Sequence, residues 1–476
     1  MPAHTLVSPN IQYNNRDIKT PDRAGDWNLT NTKFHTVMPV AAGQSPLHWA
    51  CLNITDISEP NEHLIPSLNQ FTEVLRHTGI NIRKPQYLKS MTVNEPMDRY
   101  FNEICGIKGI QILLVLIPPE NNTAIYNRVK VLGDIEKSLH TVCVKASDDE
   151  FFSQSPSYYA NVALKFNLKL RGVNHVIDSK IDGSETMVVG IDVTHPSPGS
   201  EGAPSIAAMV ASMDKEFAQW PVDLRIQRAW NEMKKDEKSA QDGARQEMVS
   251  DIYEMLRSRL KLWQNRHKGT LPKNILIYRD GVSESQYEQV LSIELTAMKK
   301  ACADTYGKQQ PPKITIIIVG KRHHTRFFPT LSHQADSSHN TPRGTLVDRT
   351  LFSAHSWEFF LQSHTALQGT VRPAHYVVIY DEIFRAGKVL PYCCSNAAEW
   401  LEAVTNDLCF LFGRATKAVS IPAPVYYADG ACGRARRWLG EVFVGEGGGG
   451  ERELGYGELQ RRITPEGRLR DEMFYV

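Results

Sequence analysis

Two carboxylates stand at the ends of apolar runs, where a side chain that can hold a cation is well placed. In MVVGIDVTHP (187–196) the apolar and β-branched residues Met187, Val188, Val189 and Ile191 read as a buried strand, and Asp192 is the acid near its end. NILIYRDGVSE (274–284) repeats the arrangement: Asp280 closes an apolar strand and Gly281 permits a tight turn after it. The two acids are too far apart in sequence to share a local motif, so they can meet only as neighbours in one sheet. Ligands and catalysis gather at strand ends in α/β sheets. The pair is therefore a candidate site for a hard cation, which prefers oxygen donors. The alternative is that each Asp caps a turn or a helix start.

Cationic candidates lie elsewhere. Tyr126 with Lys130, and Lys165 with Lys169, are spaced i,i+4 and share a helical face. Two lysines stacked in that way repel unless an anion sits between them; the alternative is an ordinary solvated helix. GKRHHTRFF (320–328) sets Lys321, Arg322, His324 and Arg326 behind a buried strand. Such a patch suits phosphate contacts that position a nucleic-acid strand without reading its sequence. His323 and His324 are adjacent, but no Cys or His stands at zinc-ligand spacing beside them. GEGGGG (445–450) matches a Gly-x-Gly-x-x-Gly pattern but lacks the strand and helix that a dinucleotide site requires, and reads as a flexible loop.

These residues need rigid elements to place them. Residues 1 to about 40 are polar, rich in Asn, Asp and Pro, and read as a linker. From Leu47 strand-like and helix-like segments alternate. HWACLNI (48–54), GIQILLVLIPP (109–119) and HTVCVK (140–145) read as strands. Helices are expected over 64–79, 126–139 and around 159–170. This alternation predicts a parallel sheet covered by helices. RGVNHVIDSKIDGSET (171–186) looks like the connection to a second domain. There SIAAMVASMD, ITIIIVGKRHH and HYVVIYDE add strands to those carrying Asp192 and Asp280, and a charged stretch from Asn231 leads into a long helix.

The chain has 476 residues, enough for two or three domains at roughly 150 residues each. A hydrophobic content of 41% and a charged content of 22% describe an ordinary globular protein, and the net charge of +1 means that any nucleic-acid role must rest on local basic patches. Eight scattered cysteines do not make a disulfide framework, which implies reduced thiols in an intracellular compartment. The start of the chain lacks a signal-peptide pattern. ILLVLI and ITIIIV fall well short of the ~20 residues of a membrane helix.

VSIPAPVYYADGACGRARRW (419–438) is too particular to be generic. With GIDVTHP, YRDGVSE, GKRHHTRFF and LQGTVRPAHY in order, the chain resembles the MID–PIWI lobe of a eukaryotic Argonaute from FHTV (34–37) to DEMFYV (471–476). The resemblance implies an α/β fold: a linker over 1–40, a Rossmann-like MID domain with a parallel sheet over 41–176, and an RNase H-like PIWI domain over 177–476. It also implies two Mg²⁺ ions, for which Mn²⁺ can substitute, held by Asp192, Asp280 and Asp429. Many relatives have His at the last position, but Asp suits Mg²⁺. The fourth catalytic acid, carried on an inserted loop, falls on Glu247 in ARQEMVSDIYEML, with Glu232, Glu237 and Glu254 as nearby competitors. Two metals bridged by carboxylates activate water and stabilise the leaving 3′ oxygen of a phosphodiester.

By the same resemblance Tyr126, Lys130, Thr141, Lys165, Lys169 and Arg434 form the pocket for a guide RNA's 5′ phosphate, the tyrosine stacking on the first base. Val142 stands where the usual animal pattern has Gln, and PPENNTA (118–124) corresponds to the loop that senses the first base. Lys321, Arg322, His324, Arg326, His364, Gln368, Arg372, Arg414, Ser420 and Tyr426 are implied along the guide's seed. The expected partners are a 5′-phosphorylated small guide RNA, a complementary target RNA and Gly-Trp-repeat scaffold proteins; no membrane is involved and the setting is cytoplasmic. The N-terminal and PAZ portions of such a protein are not expected here, so weak cleavage by this piece is. Two alternatives stay open: a guide-binding silencing module that cuts little or not at all, and an RNase H-like nuclease without a guide.

Overall fold

The computed structural model describes residues 2–14, 17–37, 46–55, 62–196, 203–227, 248–349, 356–366, 368–385, 390–392, 394–443 and 454–476. The smaller of its two main sheets is parallel throughout. It consists of β1 (Trp49–Thr55), β2 (Tyr87–Thr92), β3 (Ile112–Ile117) and β4 (His140–Lys145), in the order β2-β1-β3-β4. Strand β3 is apolar at every position because both of its faces are covered. Ile112, Leu114 and Leu116 pack with Phe71 of α1 (Leu64–His77) and Phe166 of α4 (Pro156–Lys169). Leu113, Val115 and Ile117 meet Phe101 of α2 (Met97–Gly106) and Val129 of α3 (Thr123–Lys130). The helix expected over 126–139 is wound in two ways: α3 passes directly into a π-helical stretch, Val131–Glu136. Helix α4 begins on Ser155, whose hydroxyl accepts the Tyr158 amide, with Pro156 in its first turn.

The larger sheet is mixed. Its strands are β5 (Thr186–Thr194), β6 (Ile206–Ala211), β7 (Val222–Ile226), β8 (Asn274–Asp280), β9 (Lys313–Gly320), β10 (Thr345–Val347), β11 (Glu358–Gln362) and β12 (Ala374–Asp381). From one edge the order is His4–Thr5, β10, β11, β12, β9, β8, β5, β6, β7. Strands β5, β8 and β9 run parallel in the middle, and the flanking pairs are antiparallel. Alternation divides each central strand between two cores. Met187, Val189, Ile191, Ile275 and Ile277 pack against α5 (Ile252–Arg266) and α6 (Thr296–Tyr306). Val188, Leu276 and Tyr278 pack against α7 (Ala397–Leu408) and α8 (Ala423–Phe443). The same alternation sends Gly190, Asp192 and Asp280 to the α8 side. Gly190 is required there, because a Cβ would lie 2.3 Å from the Pro424 carbonyl oxygen at the start of α8.

The polar segment read as a linker is anchored by buried side chains. Ile11, Tyr13, Trp27 and Phe34 join the core of the smaller sheet, and Ile11–Gln12 pairs with Val176–Ile177 in the chain's connecting stretch. The Trp27 indole donates to the Tyr13 hydroxyl at 2.7 Å, and the Trp27 amide to Thr416 at 2.9 Å. The described cysteines are free thiols, and among the described residues no helix is long and apolar enough to cross a membrane. Glu247, Glu232, Glu237 and the glycine run lie outside the described residues.

Candidate functional site

Arg279 is the register partner of Ile191, so the next residues, Asp280 and Asp192, leave adjacent parallel strands at one edge. Helix α8 lies along β5 and contributes Asp429. Its Cys432 thiol meets the carbonyls of Asp192 at 3.7 Å and Ile206 at 3.5 Å. Burial, then Asp280 and Asp429, push the Asp192 carboxyl up to about 7. Burial also raises Asp280, with Asp429 adding to it and Arg279 and Arg322 opposing. Asp429 is raised by desolvation, again against Arg322. Each acid also accepts the amide of the residue that follows it, Asp192 from Val193 at 2.8 Å and Asp280 from Gly281 at 2.7 Å. Among the described residues no three Asp, Glu, His or Cys side chains gather tightly enough to hold a metal ion. Glu254 is exposed in the first turn of α5, on the opposite face of the sheet.

A cavity of about 220 Å³ opens between the two sheets' domains, beside α3, β4 and α8. Lys130, Lys165, Arg414, Arg434 and Arg437 line it, and none of its described lining residues is an Asp or Glu. Lys130 is buried; its ammonium donates to the Thr141 carbonyl at 2.9 Å and hydroxyl at 2.8 Å, and stands 5.3 Å from the Tyr126 ring centre. Arg434 donates to Asp134 at 2.6 Å, behind the cavity wall, and to the Tyr126 hydroxyl at 3.4 Å. Arg434 lowers the Tyr126 phenol. Burial, then Arg414, Lys130 and Arg434, lower Lys165 to about 8. Both shifts mark a positive local field: it favours an anionic phenol at Tyr126 and, after burial, disfavours a further charge at Lys165, which an anion in the cavity would offset. Lys169 is buried behind the cavity and donates to the Phe474 carbonyl.

The residues implied along the seed divide into groups. Lys321 donates to Ser420, whose hydroxyl lies 2.7 Å from that of Tyr426, and His364 is close enough for Lys321 to help burial lower its imidazole to about 4. Arg322 turns to the carboxylates instead, lowering both Asp280 and Asp429. Arg414 lies in the cavity with Lys165 rather than beside Lys321. Arg326 folds back onto the carbonyls of His323 at 3.1 Å and Thr325 at 2.7 Å. His324, Gln368 and Arg372 are exposed.

Sequence reading missed Cys143, Arg437, Tyr475 and Val476 in the cavity wall, together with Gly430 and Gly433. The two glycines, spaced about one turn apart beside Arg434, were the available signal for a helix face kept open.

Comparison with known proteins agrees with this geometry. The Piwi domain family matches residues 112–439. Argonaute 1B of Oryza sativa subsp. japonica is 32% identical over 487 residues, covering 92% of this chain and 39% of that protein. The chain thus spans less than half of the curated relatives it matches. The C-terminal lobe of a budding yeast Argonaute superposes with a TM-score of 0.82 at 25% identity, covering 100% of this chain and 95% of that one. Kluyveromyces polysporus Argonaute with a guide RNA gives 0.81 at 26% identity, covering 100% and 56%. The N. crassa QDE-2 MID–PIWI domains give 0.63 at 29% identity, covering 93% and 100%. A parallel sheet carrying a cationic cavity, joined to a Piwi domain with acids at its central strand ends, places the chain in the Argonaute family, whose MID–PIWI lobe it shares.

Proposed function

We propose that the chain holds the 5′-phosphorylated end and the seed of a small guide RNA and cleaves complementary target RNA. The observation that carries this reading is the cavity lined by five cationic side chains and, among the described residues, by no Asp or Glu side chain. A terminal phosphate would take hydrogen bonds from Lys130, Lys165 and the arginines, while Tyr126, held below Lys130, offers its ring to the first base. Lys321, Ser420, Tyr426 and His364 would then follow the backbone. Base pairing, rather than protein contact, would select the target. The test compares affinity for a short RNA bearing a 5′ phosphate with the same RNA bearing a 5′ hydroxyl, before and after Lys130→Ala. A phosphate preference lost in the variant is the expected result; equal affinities in the unaltered protein would sink the reading.

For cleavage, Asp192, Asp280 and Asp429 would hold Mg²⁺, with Glu247 as the further acid. The donor set fits: all are oxygen ligands, and burial raises all three carboxyls, with like charges adding to the rise at Asp192 and Asp280, which a cation would offset. Two bound ions would supply an activated water and charge neutralisation at the leaving 3′ oxygen. Arg322, beside two of the acids, is placed to meet a phosphate oxygen of the target. A second reading, a guide-binding module that silences through partners such as Gly-Trp-repeat scaffold proteins in the cytoplasm, is favoured by one observation. The described acids do not close into a metal-holding group. Single-turnover cleavage of a guide-matched RNA in Mg²⁺, with Asp280→Asn as control, separates the two.

A further inference from the structure

The segment 466–476 bridges the two domains, bonding to Ser138 and Gln111 beside the smaller sheet while Leu469, Met473, Phe474, Tyr475 and Val476 join the core of the larger one, and it finishes the cavity wall. The Phe474 carbonyl accepts Lys169 and, at 3.0 Å, Arg434; the Tyr475 carbonyl accepts Arg434 at 3.3 Å. Tyr475 and Val476 line the cavity itself. These carbonyls fix the direction of two cations, so the placement of the segment decides where the cations point.

Two of its ties are ordinary hydrogen bonds at its start, from Ser138 to the Glu466 carbonyl at 2.9 Å and from Arg468 to the Gln111 carbonyl at 2.7 Å. Arg266 also donates to the Asp471 carbonyl at 2.5 Å and the Tyr475 hydroxyl to the Trp220 carbonyl at 2.6 Å. One further tie is different in kind. Glu472 is 5% exposed, with one carboxylate oxygen 2.6 Å from His140 Nε2 and the other 2.5 Å from the Arg171 guanidinium. His140 is fully enclosed and directly precedes Thr141, the residue that holds Lys130. Arg171 sits at φ +63°, a left-handed conformation that disfavours a side chain, and its guanidinium, more than half exposed, reaches in to pair with Glu472. Burial lowers His140 to about 4, so it is a neutral imidazole donating its Nε2 proton. Burial works against the charge on Glu472, but the bond from His140, with Arg171 and Arg468, outweighs it and holds the carboxyl below its usual range.

We propose that His140, Glu472 and Arg171 form a latch that holds the 466–476 segment in register with the cationic cavity, making Glu472 a positioning residue for recognition of a 5′ phosphate. The proposal rests on the guide-end reading of that cavity. Glu472 reaches no ligand itself; it acts through the Phe474 and Tyr475 carbonyls on Lys169 and Arg434.

The experiment uses the whole chain with Glu472→Ala, Glu472→Gln and His140→Ala, the last leaving the Arg171 pair in place should the first fold poorly. Amide hydrogen exchange over 466–476 is read beside affinity for 5′-phosphate and 5′-hydroxyl RNA. Glu472→Ala is expected to speed exchange in the segment. It should also cut the phosphate-over-hydroxyl preference by about tenfold, through the phosphorylated RNA alone. Glu472→Gln, which keeps an acceptor for His140, should recover part of that preference. Unchanged exchange in Glu472→Ala would overturn the latch. A loosened segment with unchanged preference would reduce the triad to a fold contact and overturn the positioning role. A loosened segment in a protein that shows no phosphate preference even unaltered would overturn the guide-end reading instead.

Discussion

Ile191 pairs with Arg279 across two parallel strands, and this single register sets the chemistry on both faces of the larger sheet. One step further along, Asp192 and Asp280 emerge on the α8 side beside Asp429. Arg279 itself points the other way, into a buried ion pair with Glu294 at 3.2 Å. The acids are thus held by a sheet pinned from behind, with Arg322 as the cation that opposes the rise of Asp280 and Asp429. A slip of one residue in either strand would exchange the acid for the apolar or basic neighbour.

Removing one of these charges separates chemistry from fold. Asp280→Asn should lower target cleavage by on the order of a hundredfold or more, the scale of losing one preorganised charge at a reacting centre. Affinity for a 5′-phosphorylated guide should be unchanged, because the cavity uses none of the three acids. Asp192→Asn should lose cleavage in the same way yet raise the melting temperature in metal-free buffer, since it removes a carboxyl that burial and two like charges disfavour. A melting temperature that fell in both variants would show that the acids serve the fold and not a cation.

Much of this was legible in the residues. Apolar runs ending in a single acid gave strands β5 and β8, and the expectation that Asp192 and Asp280 meet as neighbours in one sheet is met by the pairing of those two strands. What stayed hidden depended on distance in sequence. Asp429 is named through the family resemblance, not through local pattern: it joins the other two because α8 packs against Gly190, and a helix's position over a sheet is not written in local periodicity. The edge strand β2, YLKSMT, carries few apolar residues because an edge strand does not need them. The segment read as a linker was polar on average, and its average concealed Tyr13, Trp27 and Phe34, the side chains that anchor it. Arg322 and Arg414 were grouped with neighbours in sequence or family order, yet each faces a different partner in space.

The cationic cavity should titrate. Lys165 is lowered to about 8, so in the free protein it is mostly charged at pH 7 and mostly neutral at pH 9. A phosphate dianion favours the charged form. Affinity for 5′-phosphorylated RNA should therefore fall as pH rises through about 8, while affinity for 5′-hydroxyl RNA changes little. Lys165→Met should flatten that dependence. Binding measured by fluorescence anisotropy from pH 6.5 to 9.5 checks the sign; a phosphate preference that grew with pH would contradict it.

Gly190 can be tested without touching any charge. Gly190→Ala places a Cβ 2.3 Å from the backbone oxygen of Pro424, which cannot rotate away as a side chain could. Helix α8 must then shift, at a cost of roughly 1–3 kcal/mol in stability. Because Asp429 rides on that helix, cleavage should fall further than stability does. Denaturant midpoints and single-turnover rates, measured on the same samples, distinguish a shifted helix from a site indifferent to it.

Glu402 makes the fold itself sensitive to pH. It is buried on α7, its Oε2 has no hydrogen-bond partner among the described residues, and burial, then Asp348 and Glu399, push its carboxyl up to about 8. Between an ordinary value near 4.5 and about 8 the folded chain binds a proton at Glu402 that the unfolded chain has released. Its contribution therefore makes stability decline as pH rises through that window. Glu402→Gln should be more stable at pH 8 than the unaltered protein and differ little from it at pH 4.5. Chemical denaturation at the two pH values reads the difference directly.

The Arg279–Glu294 pair offers a last separation, between a contact's presence and its worth. Glu294 also accepts the Val249 amide at 2.9 Å, so it ties β8 to the start of the segment that leads into α5. Glu294→Ala takes away the carboxylate facing a buried guanidinium and should cost about 3–5 kcal/mol. Replacing both partners with apolar residues of similar volume, Arg279→Met with Glu294→Leu, should cost less than that, because no charge is then left in the core. If the double variant is nearly as stable as the unaltered chain but cleaves poorly, the ion pair's contribution is alignment of Asp280, not stability. If it is as unstable as Glu294→Ala, the Val249 tie matters more than the charge.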